Sequence, residues 1–335
     1  MKLLLSKTRE KELDKVKQML VKSVADEKSV NSLYDYIFSS EGKKLRALIA
    51  LSSSINKSKK ISSNKRVKLA SIIELLHTAT LVHDDVVDDA ELRRGIRTVN
   101  KKWSNSHSVL IGDYIYSKAF MLMVSLNNNF VLKELSSATN DISMGEILQL
   151  DSLTKKIMPS QKSLLKIAYL KTGRLFEAAS VTGGIIGGYS KKNISVLAKY
   201  GRILGIVFQL KDDLLDYQLD KNIGKEHLKD YLEGKFTLPY LEILEDASKK
   251  DKRILDKYFG KKKVSKKTFD QLRQIIQKNP LRRTLRLIDR ETKLFCFDSQ
   301  SRYSYLDLLL LLRFRLYRHP HHQVHLGECI FHDES

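Results

Sequence analysis

Two groups of aspartates dominate the chemistry available to this chain. Asp84, Asp85, Asp88 and Asp89 stand close together in LVHDDVVDDAELRRGIRT, residues 81–98, and Asp212, Asp213 and Asp216 recur far downstream in QLKDDLLDY, residues 209–217. Each group has the form Asp-Asp-x-x-Asp. On a helix, Asp84 and Asp88 fall one turn apart on one side, as do Asp212 and Asp216. Asp85 is rotated by about 100° from Asp84 and is less directly aligned. Carboxylates so placed repel one another unless cations enter. Hard oxygen donors in a basic neighbourhood favour magnesium bridging to phosphate. One such group alone is equally well read as an acidic, solvated helix end. Two groups in similar apolar surroundings favour metal.

The cations around them suggest an anion. Arg93, Arg94 and Arg97 surround Gly95 just beyond the first group, and guanidinium suits bidentate phosphate recognition. The alternative is surface salt bridges, which stabilise little. In Glu41-Gly42-Lys43-Lys44-Leu45-Arg46, the glycine permits an unusual turn before a helix. Lys43 and Arg46 there conflict mildly with the positive end of the helix dipole unless an anion binds. Lys171-Thr172-Gly173-Arg174 interrupts a helical pattern; a kink there aims Lys171 inward, whereas a plain helix boundary leaves it solvated. Lys225 follows Gly224, and Lys235 follows Gly234. They suit a loop closing on phosphate, or else a charged surface connection. His77 lies seven residues before Asp84, about two turns, on a similar face. A lone histidine on such a helix is ordinarily structural, and His83 reads as structural or tuning. Glu146 and Gln149 are polar groups in apolar company and need partners.

The elements that must position these residues are helices. Apolar residues three and four apart run through residues 1–38, 66–90, 107–127, 130–153, 161–183 and 194–217, and Thr237-Leu238-Pro239 restarts a helix. Strand-like alternation is scarce, so the fold class is all-α. The net charge of +21 is spread over scattered lysines. With no readable nucleic-acid module, a solvated surface is the better reading. The N-terminal apolar run is too short for a secretory signal. No uncharged apolar stretch of about 18 residues predicts a transmembrane segment. Two cysteines build no disulfide framework and fit a reducing cytoplasm.

The motifs together resemble the trans-isoprenyl diphosphate synthases, or polyprenyl synthetases, and most closely the long-chain octaprenyl and decaprenyl types. The resemblance rests on GKKLR at 42–46, HDDVVDDAELRRG at 83–95, GEILQ at 145–149, KTG at 171–173, FQLKDDLLD at 208–216, and GK then EGKFTLP after it. It implies an isoprenoid synthase-type bundle of ten or so helices around a deep central cavity, with the acidic motifs facing each other across its mouth. It further implies that Asp84, Asp85 and Asp88, with Asp212, Asp213 and Asp216, hold Mg2+ against an allylic diphosphate, farnesyl or geranyl. Arg93, Lys171, Thr172, Gln209, Lys225 and Lys235 then contact that substrate. Lys43, Arg46, His77 and Arg94 hold isopentenyl diphosphate. Ala79 and Thr80, small residues five and four before Asp84, allow a long all-trans chain for a quinone side chain, with Met123 in a deeper floor. A homodimer and a peripheral membrane contact for product release are expected. The alternatives are a terpene cyclase of the same superfamily and a non-catalytic regulatory subunit. The intact second aspartate motif, with Lys43, Arg46 and Arg94, argues against both.

The catalytic domain is expected to span residues 1–280, with 281–335 an atypical tail that does not align to the family. Residues 1–280 hold 41 lysines and 10 arginines, whereas 281–335 hold one lysine and eight arginines, both cysteines (Cys296 and Cys329) and five of the nine histidines. So abrupt a switch reads as a shifted reading frame in the underlying gene or as a lineage-specific tail, with the frameshift the favoured reading. His319, His321, His322 and His325 are then accidental neighbours rather than a metal site. Three departures stand within the motifs: Ala47 where the family has proline, Leu228 where it has glycine, and Asp230-Tyr231 where it has aspartate-leucine.

Overall fold

The computed structural model describes residues 7–21, 27–40, 42–56, 58–59, 61–155, 157–217, 228–279 and 281–297. The helices run in chain order as α1 (Lys7–Val21), α2 (Lys28–Ser39), α3 (Leu45–Ser53) and α4 (Ser63–Val87). A two-stranded hairpin follows, β1 (Leu92–Arg93) and β2 (Ile96–Arg97), and then α5 (Val99–Lys102), α6 (Asn105–Ser125), α7 (Asn129–Lys155) and α8 (Gln161–Ala168). A π-helical turn, Tyr169–Gly173, joins α8 to α9 (Arg174–Ile186). The rest comprises α10 (Lys191–Tyr217), α11 (Lys229–Leu232), α12 (Leu238–Asp246), α13 (Lys249–Tyr258), α14 (Lys266–Gln277) and α15 (Arg282–Phe297). The all-α expectation holds, and the hairpin is the only sheet among the described residues.

Helix starts are written locally. Ser104, Ser160, Thr237, Ser248 and Ser265 each accept, through the side-chain oxygen, the backbone N–H of the residue three further on. This satisfies a donor that the helix itself cannot pair. Pro239 sits in the first turn of α12, where its missing N–H costs nothing.

Helix α4 is the axis of the larger core. Val67, Leu69, Ala70, Ile72, Ile73, Leu75 and Leu76 are buried on nearly every side of it, and α3, α6 and α9 pack around it. A helix that is apolar all round must lie inside the protein. Its polar C-terminal turns therefore begin in the interior and end at a mouth. Helix α10 packs along α9 and carries the second acidic motif at its C-terminal end. A second core around Tyr231, Tyr240, Leu255, Leu272 and Ile275 supports the segment that follows.

The described part of the C-terminal segment is packed on this body. Leu281 and Thr284 are buried, and Leu285 and Ile288 pack against the second core. The buried Glu242 carboxylate accepts the backbone N–H groups of Arg283 and Thr284 and the Thr284 hydroxyl, each at 2.8 Å. One acid from α12 thus caps the start of α15, where the helix dipole favours negative charge. The change in lysine usage coincides with this docked helix. Residues 298–335, including Leu308–Leu312 and the histidines at 319–325, lie outside the described residues. Glu242→Ala leaves the Arg283 and Thr284 N–H groups without their acceptor, so a loss of about 1–3 kcal/mol is expected in denaturant unfolding, with faster amide exchange over 282–290. Unchanged exchange there would show that α15 is not held by this cap.

Candidate active site

The C-terminal end of α4, the π turn, the end of α10 and the α11–α12 connection enclose one cavity of about 540 Å³. Asp84 and Asp88 line it from one side and Asp212 and Asp213 from the other, with Lys171, Thr172, Gln209 and Lys235 between them. Arg46, His77, Arg93 and Arg94 line the part nearest α3. The two acidic motifs therefore face a shared space.

Helix α4 ends at Val87 and Asp88 is its C-cap, with N–H bonded to the Asp84 carbonyl at 2.8 Å. Burial first, then the nearby Glu146 charge, pushes Asp84 from 3.8 up to about 7. Burial also pushes Asp88 up, but the charge and hydrogen bond of Lys235 at 2.9 Å more than offset this and hold it below its ordinary value. Asp85 is buried under the hairpin and is raised by burial, although Arg93 Nε donates to it at 2.8 Å. It does not line the cavity.

The second motif is similarly crowded. Burial, then the charge of Asp230, holds Asp213 well above the carboxylate range and Asp216 up to about 7. Gln209 donates to Asp213 at 2.7 Å and receives the Thr172 hydroxyl. Asp216 does not face the cavity; it accepts the N–H groups of Lys229 and Asp230 at 3.0 and 2.9 Å and so caps α11. Asp230 lines the cavity with the two motifs. Among the described residues no three acids, histidines or cysteines converge as a ready metal cage. The acids are paired instead: Asp85 with Arg93, Asp88 with Lys235, and Glu146 with Lys171 at 2.7 Å.

The basic end of the cavity is built around a neutral histidine. Burial, then the charge of Arg46, holds His77 well below its ordinary value. Arg46 can only donate, so its contact of 3.0 Å makes the His77 Nε2 atom an acceptor. The guanidinium of Arg46 also lies over the Phe176 ring, 4.5 Å from its centroid. Glu74, buried one turn below His77, accepts the Ala47 N–H at 3.1 Å and lies 3.8 Å from the Lys44 ammonium. It faces this basic cluster from α4 and anchors the start of α3.

The hairpin places the two arginines. Arg94 and Gly95, at φ 53° and 83°, form a turn with both central residues left-handed, which suits a two-residue hairpin. Arg93 folds back on Asp85. Arg94 reaches the Ser40 carbonyl at 3.3 Å and lies against Gly42, where a methyl group would come within 2.6 Å of its guanidinium. Gly42 thus lies beside the flexible end of Arg94, and the left-handed residue in this segment is Lys44, at φ 49°.

Several expected residues lie apart. Lys43 is exposed and does not line the cavity. Lys225 falls in 218–227, outside the described residues. Of the three chain-length candidates, Thr80 lines the cavity, whereas Ala79 and Met123 are wholly buried in the larger core. Leu228 takes φ 61°, a backbone that glycine adopts without strain, and its side chain is fully buried. His83 contacts the Val109 carbonyl at 3.2 Å and Asp113 at 3.3 Å, and stacks on Tyr116. Glu74 was missed because it belongs to no motif and its partners come from the start of α3; Asp230 stood in the family's loop pattern, but nothing in the spacing put it beside the two aspartate motifs.

With this geometry in place, the chain can be set beside known proteins. The family model described as polyprenyl synthetase matches residues 27–276. The chain belongs to the polyprenyl synthetase family. By that membership it is a prenyltransferase. It is 40% identical over 232 residues to the octaprenyl diphosphate synthase of Escherichia coli, covering 69% of this chain and 71% of that one. The fold is similar to a decaprenyl diphosphate synthase from Rhodobacter capsulatus, with TM-score 0.82, 29% identity and coverage of 92% and 96%. It is also similar to a polyprenyl synthase from Caulobacter crescentus complexed with calcium and isoprenyl diphosphate, with TM-score 0.79, 32% identity and coverage of 87% and 89%.

The raised Asp84 has a consequence for stability. Between 3.8 and about 7 the folded protein retains a proton that the unfolded chain releases, so this contribution is full below 3.8, declines across the window and is lost above about 7. The melting temperature of metal-free Asp84→Asn protein should exceed that of wild type by a margin that widens from about pH 5 to about pH 8. A constant margin contradicts the burial of this charge.

Proposed function

We propose that this chain condenses isopentenyl diphosphate onto an allylic diphosphate, farnesyl or geranyl, with Mg2+, and makes a long all-trans polyprenyl diphosphate for quinone side chains. The observation that carries the reading is the cavity itself: aspartates of two Asp-Asp-x-x-Asp motifs face one space that is also lined by Arg46, Arg93, Arg94, Lys171 and Lys235, by polar side chains and by an apolar wall.

The donor set fits a divalent cation. It consists of hard carboxylate oxygens, several held above their ordinary values by burial and like charge. Magnesium is commonly bound by one or two carboxylates together with substrate phosphates, which needs no preformed cage. Asp84 and Asp88 would hold it from α4, and Asp212 and Asp213 from α10, while Asp85 fixes Arg93 and Asp216 caps α11 beside them. When bound, the cation supplies positive charge to the departing diphosphate.

The other residues bind and orient. Arg93, Lys171, Thr172, Gln209, Lys225 and Lys235 hold the allylic diphosphate. Arg46, His77 and Arg94 hold isopentenyl diphosphate, the neutral His77 keeping Arg46 aimed. The allylic carbon–oxygen bond breaks and its electron pair leaves with diphosphate. The isopentenyl double bond attacks the resulting cation, and a proton is then lost to the departed diphosphate. Enclosure by Phe208, Phe236 and Leu238 excludes the water that would quench the cation. Thr80 is small where the chain must pass, and Ala79 and Met123 shape the wall behind it.

The enzyme is proposed to act as a cytoplasmic homodimer. Leu110, Met121 and Val124 on α6, with Phe130 and Ile147 on α7, are large apolar side chains left exposed. A second copy of the chain would cover such a face. Among the described residues no helix is long and apolar enough to cross a membrane, so a membrane contact for product release would be peripheral. The catalytic unit is proposed to include 281–297, with the remaining tail outside it.

Purified protein given Mg2+, farnesyl diphosphate and labelled isopentenyl diphosphate should incorporate label into long prenyl chains. Asp84→Ala should lose about 10²–10³-fold in kcat, and Thr80→Phe should shorten the product. No incorporation by wild type contradicts the reading, as does an unimpaired Asp84→Ala enzyme.

A further inference from the structure

The π turn that carries Lys171 and Thr172 is clasped on both sides by bare backbone. On α7, a methyl group at Gly145 would lie 2.8 Å from the Lys171 amide nitrogen and 2.9 Å from the Leu170 Cβ. On α10, a methyl group at Gly205 would lie 2.4 Å from the Gly173 Cα. Real Cβ atoms do not approach backbone so closely, so neither position accepts a side chain without moving the turn.

Each glycine belongs to a longer stripe. On α7, Glu134, Asp141 and Gly145 are spaced by seven and four and so share a face. Arg174, the residue just past the turn, is buried and donates to Asp141 and to Glu134, each at 2.7 Å. On α10, Gly201, Gly205, Gln209 and Asp213 recur every four residues. Gly201 lies against the Phe176 carbonyl, Gly205 against Gly173, Gln209 bonds Thr172, and Asp213 bonds Gln209. The turn is therefore fixed to α7 through Gly145 and Arg174, and to the second acidic motif through the α10 stripe.

We propose that Gly145, Gly205 and Arg174 are positioning residues, which set where Lys171 and Thr172 stand between the two acidic motifs. The inference rests on the proposed function, because the position matters for holding the allylic diphosphate where its bond breaks. A five-residue π turn has an irregular hydrogen-bond pattern and no strong local reason to hold one register. Close backbone contact on two sides supplies that reason. The isopentenyl end of the cavity is built from α3, α4 and the hairpin and does not depend on the clasp.

The test compares Gly145→Ala, Arg174→Met and Gly183→Ala with wild type as purified, folded protein. Gly183 is the control: it lies on α9, and a methyl group there would come within 2.7 Å of the Ala50 carbonyl, an equal insult away from the turn. Arg174→Met removes the ion pairs without adding bulk. Gly145→Ala is expected to lose about a hundredfold in kcat, as a displacement of about 1 Å can cost. Arg174→Met is expected to lose about tenfold. Both should keep KM for isopentenyl diphosphate within about threefold of wild type. Gly183→Ala should lower the melting temperature but keep kcat within about threefold. Wild-type kcat in Gly145→Ala and Arg174→Met, or an equal loss in Gly183→Ala, overturns the proposal. Amide exchange over 169–173 supplies a readout independent of activity: it should quicken in Gly145→Ala and not in Gly183→Ala, and equal rates overturn the clasp. A wild-type protein that makes no prenyl product counts against the proposed function, and exchange then decides the clasp by itself.

Discussion

Everything around the cavity answers one electrostatic constraint: two groups of carboxylates face the same buried space. Like charges at short range in a low-dielectric setting are costly unless they are paired, protonated or bound to a cation. Pairing and raised proton affinity are both built into the side chains of this site. Lys235 crosses from the α11–α12 connection to Asp88, Arg93 folds back to Asp85, and Lys171 turns to Glu146. Where no lysine or arginine hydrogen-bonds the acid, as at Asp84 and Asp213, burial and neighbouring acids raise the proton affinity. A metal ion and a diphosphate can take over both devices together, because the cation satisfies the acids while the phosphate oxygens take the released lysines. Under the proposed function, these ion pairs would give way to substrate charge.

The scaffold exists to hold that arrangement. Helix α4 is apolar for most of its length and anchors the larger core, so the position of its last turn is rigid. Helix α10 repeats the plan from the opposite side. Between them the chain is less regular, with a hairpin for the arginines, a π turn for Lys171 and Thr172, and left-handed residues at Lys44, Arg94 and Leu228. Irregular backbone is concentrated where side chains must be aimed, and close packing of the neighbouring helices holds it in place.

Much of this was legible in the chain. The aspartate spacing located both motifs, the three-four apolar pattern located the long helices, and Gly173 beside Thr172 marked a break in a helix. What was not legible depended on partners distant in sequence. Glu74 looks like one more polar residue in an apolar run until the Ala47 N–H is placed against it. The closeness of Gly42 to Arg94, far along the chain, was likewise not in view. Asp85 and Asp216 were grouped with the cavity acids by motif, yet one lies under a hairpin and the other caps α11. Of the three residues linked to product length, Thr80 lines the cavity, and Ala79 and Met123 are buried in the core. Arg282 onward carried an unfamiliar composition, and the Glu242 cap together with the packing of Leu285 and Ile288 reveals that its first helix is docked.

The most direct measurement is calorimetric titration with farnesyl thiolodiphosphate, an analogue that binds without ionising readily, in the presence and absence of Mg2+. If the opposed acids are the site at which metal and diphosphate enter together, the analogue binds with Mg2+ and loses that affinity when the metal is omitted. Equal affinity with and without metal would contradict the account.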